Sequence, residues 1–121
     1  MKIERFEDIE AWKKARELVN SVYSVTSKGP FAKDYSLKDQ IRRASISAMS
    51  NIAEGYARQT DKEFVQFLYI ALGSVAEIQS QFYIARDLGY IANDEFSRIY
   101  GMASETARII VGFIKYLKGS G

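Results

Sequence analysis

Two groups of basic side chains are candidates for binding phosphate groups. They are Lys13, Lys14 and Arg16 on one segment, and Lys38, Arg42 and Arg43 on the next. Lysine and arginine strips on helices can neutralise phosphates, so both groups are candidate nucleic-acid contacts. Glu10, Glu17 and Asp39 lie nearby, which leaves the alternative of ordinary solvated helix faces. In a chain of net charge +2, a solvated helix face is the better interpretation for the lysines, whereas Arg42 and Arg43 fit either interpretation.

Three polar residues, Asn51, Glu54 and Glu77, lie on or beside apolar stripes. Two carboxylates could form an acid/base pair or a metal site. Without a histidine or a nearby nucleophile, a buried polar network between helices is the better interpretation. Buried carboxylates need partners, and Arg43 or Arg86 would serve.

The composition excludes most catalytic machinery. The sequence contains no cysteine and no histidine. Disulfides, thiolate zinc sites, cysteine nucleophiles and Ser-His-Asp triads are therefore impossible, and the commonest general base is missing. Residues 1–60 hold 11 basic and 8 acidic side chains, against 6 and 7 in the remainder. We therefore expect a non-enzymatic protein without metal or cofactor, whose basic excess lies in its first half.

These side chains must be positioned by helices. Breaks around Pro30, residues 55–60 and residues 88–94 divide the chain into four segments, each about 20 residues or longer. Apolar residues recur in each at three- and four-residue steps, which indicates amphipathic helices. We predict one all-α domain, an up-and-down antiparallel four-helix bundle. The predicted helices are 7–26, 36–56, 61–88 and 93–117, with a flexible tail at 119–121.

The third helix is apolar on two sides. Its main stripe is Phe64, Leu68, Ala71, Val75, Ile78, Phe82 and Ala85. A second stripe holds Phe67, Ile70, Ile84 and Leu88. Since only one side of a helix faces the core of a bundle, the second stripe predicts a contact between subunits. A more centrally buried helix is the alternative.

Several residues have expected structural or binding roles. The predicted N-caps are Ser36, then Thr60 or Asp61, then Asn93 or Asp94. Gly55 is expected to end the second helix, and Gly73 to mark a close contact between helices. Most aromatic residues lie on the apolar stripes. Tyr56, Tyr69 and Tyr90 lie on them least clearly and are therefore the best candidates for stacking on bases.

An ordered set of short motifs resembles a known bacterial family over nearly the whole chain, from Phe6 to Leu117. The motifs are FEDI at 6–9 with Trp12 and Ala15, LKDQIRRA at 37–44, NIAEG at 51–55, FL at 67–68, IA at 70–71, GS at 73–74 with Glu77, and LGY at 88–90. The set is similar to four-helix-bundle proteins encoded in intervening sequences of 23S ribosomal RNA genes. The resemblance implies a ring-like homopentamer. A similar bundle is the basic, nucleic-acid-engaging accessory protein of diversity-generating retroelements. Members of the family are usually labelled as of unknown function, and some older labels call them ribosomal proteins.

The leading functional hypothesis is a homo-oligomeric helical module that binds structured RNA or another nucleic acid through the two basic strips. The alternative is a protein-interaction scaffold with no nucleic-acid role. No apolar run approaches the roughly 20 residues of a membrane span, and no signal-peptide core is visible. We therefore expect a cytoplasmic protein.

Overall fold

The computed structural model describes residues 3–119, and no strand occurs among them. The elements, in chain order, are a 3-10 turn (Phe6–Asp8), α1 (Glu10–Thr26), α2 (Gly29–Lys33), α3 (Tyr35–Tyr56), α4 (Asp61–Asp87) and α5 (Asn93–Leu117). Four of the helices are long and form a bundle, so the predicted fold class is confirmed. The predicted bounds hold within one residue, except that α1 starts three residues later than expected.

Each long helix packs against two others, in the order α1–α3–α4–α5 and back to α1. A polar side-chain contact crosses each of these four interfaces, which we call seams. The contacts are Arg42 to Thr26, Ser74 to Ser47, Gln79 to Ser104 and Lys14 to Glu105. Short connections make consecutive helices antiparallel. The start of α1 therefore lies at the opposite end of the bundle from the start of α3.

The predicted stripes form the core. Every residue of the main α4 stripe, from Phe64 to Ala85, is buried. The corresponding positions of α1 and α3, such as Leu18 and Ile41, have no exposed surface. Burying a side chain of this size contributes about 1.5–3 kcal/mol, so the shared core is the main term that holds the bundle together.

The short helix α2 lies where a loop was expected. Gly29 turns the chain with a φ of 54°, and Pro30, in the first turn of the helix, has a φ that its ring already fixes. The helix inserts Phe31, which is fully buried, against Phe82 and Tyr90 at centroid distances of 6.1 Å and 5.3 Å. This aromatic contact closes one end of the bundle.

The N-caps differ in part from the prediction. Thr60 caps α4 as expected, since its Oγ1 accepts a hydrogen bond from the Glu63 amide at 3.1 Å. The Ser36 prediction is wrong, because Asp34 caps α3 by accepting from the Leu37 amide. The predicted caps of α5 are also wrong, since the cap position is Ala92 and no side chain bonds there.

The roles predicted for Gly55 and Gly73 are both wrong. Gly55 lies within α3, where a Cβ would come 2.8 Å from both Phe64 Cδ1 and Phe67 Cβ. Gly73 is exposed on α4, and a Cβ there would meet nothing within 4 Å. The close approach of helices is therefore at Gly55.

The predicted tail falls partly outside the described residues. Gly119 follows α5 in a turn with a φ of 75°, and its amide donates to the Tyr116 carbonyl oxygen at 3.1 Å. A left-handed glycine here is a common way for a helix to end. Ser120 and Gly121 lie outside the described residues. Within residues 3–119, no helix combines the length and the apolar character that crossing a membrane requires.

Candidate nucleic-acid interface

The two predicted basic strips lie far apart. Lys14 is twelve residues before Thr26, the residue that Arg42 contacts, so about 18 Å of helix separates them at 1.5 Å per residue. Lys14 also faces α5, whereas Arg42 faces the seam between α1 and α3. The strips therefore do not form one continuous surface within a subunit.

The strip on α1 is partly neutralised. Lys14 Nζ lies 3.3 Å from a Glu105 carboxylate oxygen and 3.9 Å from one of Glu17. The hydrogen bond and charge of Glu105 raise the pKa of Lys14 above its ordinary 10.5. Arg16 lies over the Trp12 ring at 5.7 Å, and Lys13 is exposed. Lys14 therefore binds α1 to α5, while Lys13 and Arg16 remain exposed.

Arg42 is held in one position on the α1–α3 seam. Its Nε donates to Thr26 Oγ1 at 2.9 Å, and its Nη2 donates to Ser27 Oγ at 3.0 Å. The guanidinium carbon lies 4.3 Å from the centroid of the Tyr23 ring. Thr26 is itself fixed, because its hydroxyl donates to the Val22 carbonyl oxygen at 2.7 Å. The arginine is therefore preorganised, with its planar group stacked on a partly exposed ring.

A second cation–aromatic pair lies one helical turn earlier on α3. Lys38 Nζ donates to the Ala32 carbonyl oxygen at 3.0 Å and lies 4.6 Å from the centroid of the Tyr35 ring. Tyr35 is 68% exposed. Because residues four apart lie on one helix face, Lys38 and Arg42 are neighbours. We call Tyr23, Tyr35, Lys38 and Arg42 the cation–tyrosine row.

The positive charge of the chain is concentrated around this row. Residues 23–46 hold five basic and two acidic side chains, a net +3, while the rest of the chain has a net −1. Asp34 is one of the two acids. It caps α3 and accepts a hydrogen bond from the Tyr90 hydroxyl at 2.9 Å, and this bond raises the pKa of Tyr90. Arg43, the residue after Arg42, is exposed and has no hydrogen bond or ion pair to any residue between 3 and 119.

The tyrosines of the row were not anticipated. Of the three aromatic residues expected to be freest, Tyr90 packs on Phe31 and Tyr56 on Phe64, while Tyr69 is half-exposed. The spacing of Tyr35 and Lys38, three residues apart on a helix, could have indicated that pair. The pair of Tyr23 with Arg42 joins two helices and has no local sequence pattern.

A polar network does lie between α3 and α4, but its members differ from the prediction. Asn51 Nδ2 donates to the Ser47 carbonyl oxygen at 2.8 Å, and Ser74 Oγ lies 3.0 Å from Ser47 Oγ. The prediction that Glu54 and Glu77 are buried is wrong. Both are exposed, because a helix position just outside an apolar stripe points to solvent.

The two glutamates have local partners in place of Arg43 or Arg86. Glu54 lies 3.5 Å from Arg58, one turn along α3, in an ion pair whose side chains are both substantially exposed. Glu77 accepts a hydrogen bond from Gln81, one turn along α4. No three acidic side chains of the described residues come together in a group that could hold a metal ion.

The second apolar stripe of α4 is largely exposed. Ile70, Ile84 and Leu88 are 52%, 47% and 56% exposed, while Phe67 is half-buried beneath the Arg58 guanidinium. The alternative of a centrally buried helix is therefore wrong for these three. Gln81 Oε1, on the same side of α4, is buried and has no hydrogen-bond partner within residues 3–119.

Comparison with known proteins identifies the family. The family model described as "23S rRNA-intervening sequence protein" matches residues 7–112. The chain belongs to this family. A solved structure from Bacteroides thetaiotaomicron, a protein of unknown function from the S23 ribosomal protein family, superposes with a TM-score of 0.79 at 22% identity. The match covers 87% of this chain and 98% of that one. At that identity the likeness shows the shared bundle. No curated protein matches the chain.

Proposed function

We propose that this member of the 23S rRNA-intervening sequence protein family is a non-enzymatic homo-oligomer that binds nucleic acid through the cation–tyrosine row and Arg43. The observation that carries the proposal is the coincidence of two features at one place. The positive charge of the chain is concentrated in residues 23–46, and two cations there lie on exposed or partly exposed tyrosines. Arginine and lysine bind phosphates, and aromatic rings stack on bases.

Fixed side chains favour this role. Arg42 and Lys38 are already held by hydrogen bonds to Thr26, Ser27 and the Ala32 carbonyl oxygen. A cation that is ordered before binding loses less conformational entropy when a phosphate arrives. Each also keeps unused N–H donors, since arginine has five and lysine three.

Assembly into an oligomer would increase the positive field around the cation–tyrosine row. The exposed stripe of Ile70, Ile84 and Leu88, beside the unpartnered Gln81 oxygen, supports a contact with a second copy. In such an oligomer each subunit repeats the row, so a net +3 per copy becomes a larger local field and binding becomes multivalent. The resemblance to pentameric, nucleic-acid-engaging bundles supports the same model.

The experiment compares two double variants that remove equal charge. Arg42→Ala/Arg43→Ala removes two cations at the row, and Lys13→Ala/Arg16→Ala removes two from α1. Binding to labelled RNA and DNA is measured by fluorescence anisotropy, with circular dichroism confirming the fold. We expect the first variant to weaken binding about tenfold or more and the second to change it little, with affinity falling steeply between about 50 mM and about 200 mM salt. An intact oligomer without salt-sensitive binding would contradict the proposal.

The same apolar stripe supports the alternative function, a scaffold for another protein. Ile84→Glu and Leu88→Glu, made singly, each place one charge on the stripe, and Val111→Glu, on the partly exposed face of α5, is the matched control. We expect the stripe variants alone to dissociate the oligomer in light scattering. If the unsubstituted protein is monomeric, the stripe is available to bind a different protein, and the scaffold function is favoured.

A further inference from the structure

We infer that the cation–tyrosine row binds unpaired nucleotides of a single strand, with bases stacked on the tyrosines and phosphates held by Lys38, Arg42 and Arg43. The inference rests on the proposed nucleic-acid function and specifies its substrate. It departs from duplex binding, in which a protein contacts phosphates and groove edges while the faces of the bases stay covered.

Tyr35 is the first observation. It is the first residue of α3, and its ring is among the most exposed of the large apolar side chains in the described structure. Lys38 Nζ lies 4.6 Å from the centroid of this ring, so a cation adjoins it. An exposed ring with an adjacent cation is the combination that stacks a base of any sequence.

Tyr23 and Arg42 are the second observation. The guanidinium carbon lies over the ring, 4.3 Å from its centroid, so a planar cation is already in contact with the tyrosine. Bases also stack on arginine planes, and single-stranded RNA is recognised in this way. The hydrogen bonds to Thr26 and Ser27 hold the guanidinium in place, so a base can stack on it.

The spacing of the two pairs suits consecutive nucleotides. Lys38 and Arg42 are one turn apart on α3, which places their Cβ atoms about 5–6 Å apart. The two pairs therefore follow one helix face, and Arg43 projects about 100° further round α3, where it adds positive charge beyond that face. A single strand can follow this face because its backbone is flexible and its bases can be splayed out.

Duplex binding would call for different features. A net +3 over residues 23–46 is modest for a surface that holds a duplex by its phosphates alone, and two tyrosine faces would have no role. The row has few charges and open rings, which favours unpaired bases.

The test uses one labelled, unstructured oligonucleotide, alone and annealed to its complement, in RNA and DNA forms. Tyr35→Ala removes the ring without changing charge, and Tyr35→Phe keeps the ring. The matched control is Tyr69→Ala, a half-exposed tyrosine with Lys118 over its ring at 5.8 Å, near the opposite end of the bundle. We expect tighter binding of the single strand, an approximately tenfold loss with Tyr35→Ala, and near wild-type affinity with the other two.

Each outcome separates the inference from the proposed function. Equal or tighter duplex binding that ignores Tyr35→Ala but is lost in Arg42→Ala/Arg43→Ala would overturn the inference and leave nucleic-acid binding in place. No salt-sensitive binding to any probe would overturn both. A difference between the RNA and DNA arms would identify which strand the row accepts, because only RNA offers the 2′-hydroxyl.

Discussion

Substituting Gly55 by alanine tests the close contact between α3 and α4 at this residue. An alanine Cβ would lie 2.8 Å from Phe64 Cδ1 and 2.8 Å from Phe67 Cβ. The Phe67 atom is attached directly to the backbone, so α4 itself must move. Overpacking of this kind costs about 1–3 kcal/mol, and the higher helix propensity of alanine returns up to about 1 kcal/mol. We expect a net loss in the free energy of unfolding of roughly 1–2 kcal/mol.

Gly73→Ala is the matched control for this prediction. It makes the same chemical change within α4, but its Cβ would meet nothing within 4 Å. We expect it to stabilise the protein by up to about 1 kcal/mol through helix propensity alone. Urea unfolding at one fixed protein concentration measures the free energy of unfolding of both variants. If Gly55→Ala is as stable as Gly73→Ala, the inferred contact between α3 and α4 is wrong.

Three further predictions concern single contacts. Phe31→Ala empties the aromatic contact beneath α2, and we expect urea unfolding to show a loss of about 3–5 kcal/mol; a loss below 1 kcal/mol would show that α2 is dispensable. Thr60→Ala removes the N-cap of α4 and should cost about 1 kcal/mol, whereas Ser36→Ala, at the position wrongly predicted as a cap, should cost almost nothing in the same assay. The hydrogen bond to Asp34 raises the folded pKa of Tyr90 above 10.0, so its stabilisation is present below that pH and is lost as the pH rises through the folded pKa. We expect Tyr90→Phe to be less stable than wild type at neutral pH and to show a shallower alkaline loss, and parallel pH–stability curves would contradict this.

The long helices could be predicted because the face of each that packs in the core must carry apolar residues at three- and four-residue steps. A stripe such as that from Phe64 to Ala85 must face one core, so the sequence specifies both the helix and its buried side. Helix α2 was missed because five residues around Pro30 show no period. Its formation depends on a pocket for Phe31 that exists only in the packed bundle.

The candidate site was predictable only in part. Arg42 and Arg43 were identified by charge, but the sequence does not show that Arg42 crosses to Thr26 or stacks on Tyr23. The separation of the two basic strips does follow from antiparallel topology, which places the starts of α1 and α3 at opposite ends. The exposure of Glu54 could not be predicted from the sequence. A rotation of a few tens of degrees about the helix axis decides whether a residue beside an apolar stripe is buried.

Hydrogen–deuterium exchange of the protein, with and without a saturating unstructured oligoribonucleotide, tests most directly where nucleic acid binds. Slowed amide exchange reports local ordering and closure. We expect added protection between residues 23 and 46, with the start of α1 around Lys13 unchanged. Protection around Lys13 and Arg16 instead, or no change at saturation, would contradict binding at the cation–tyrosine row.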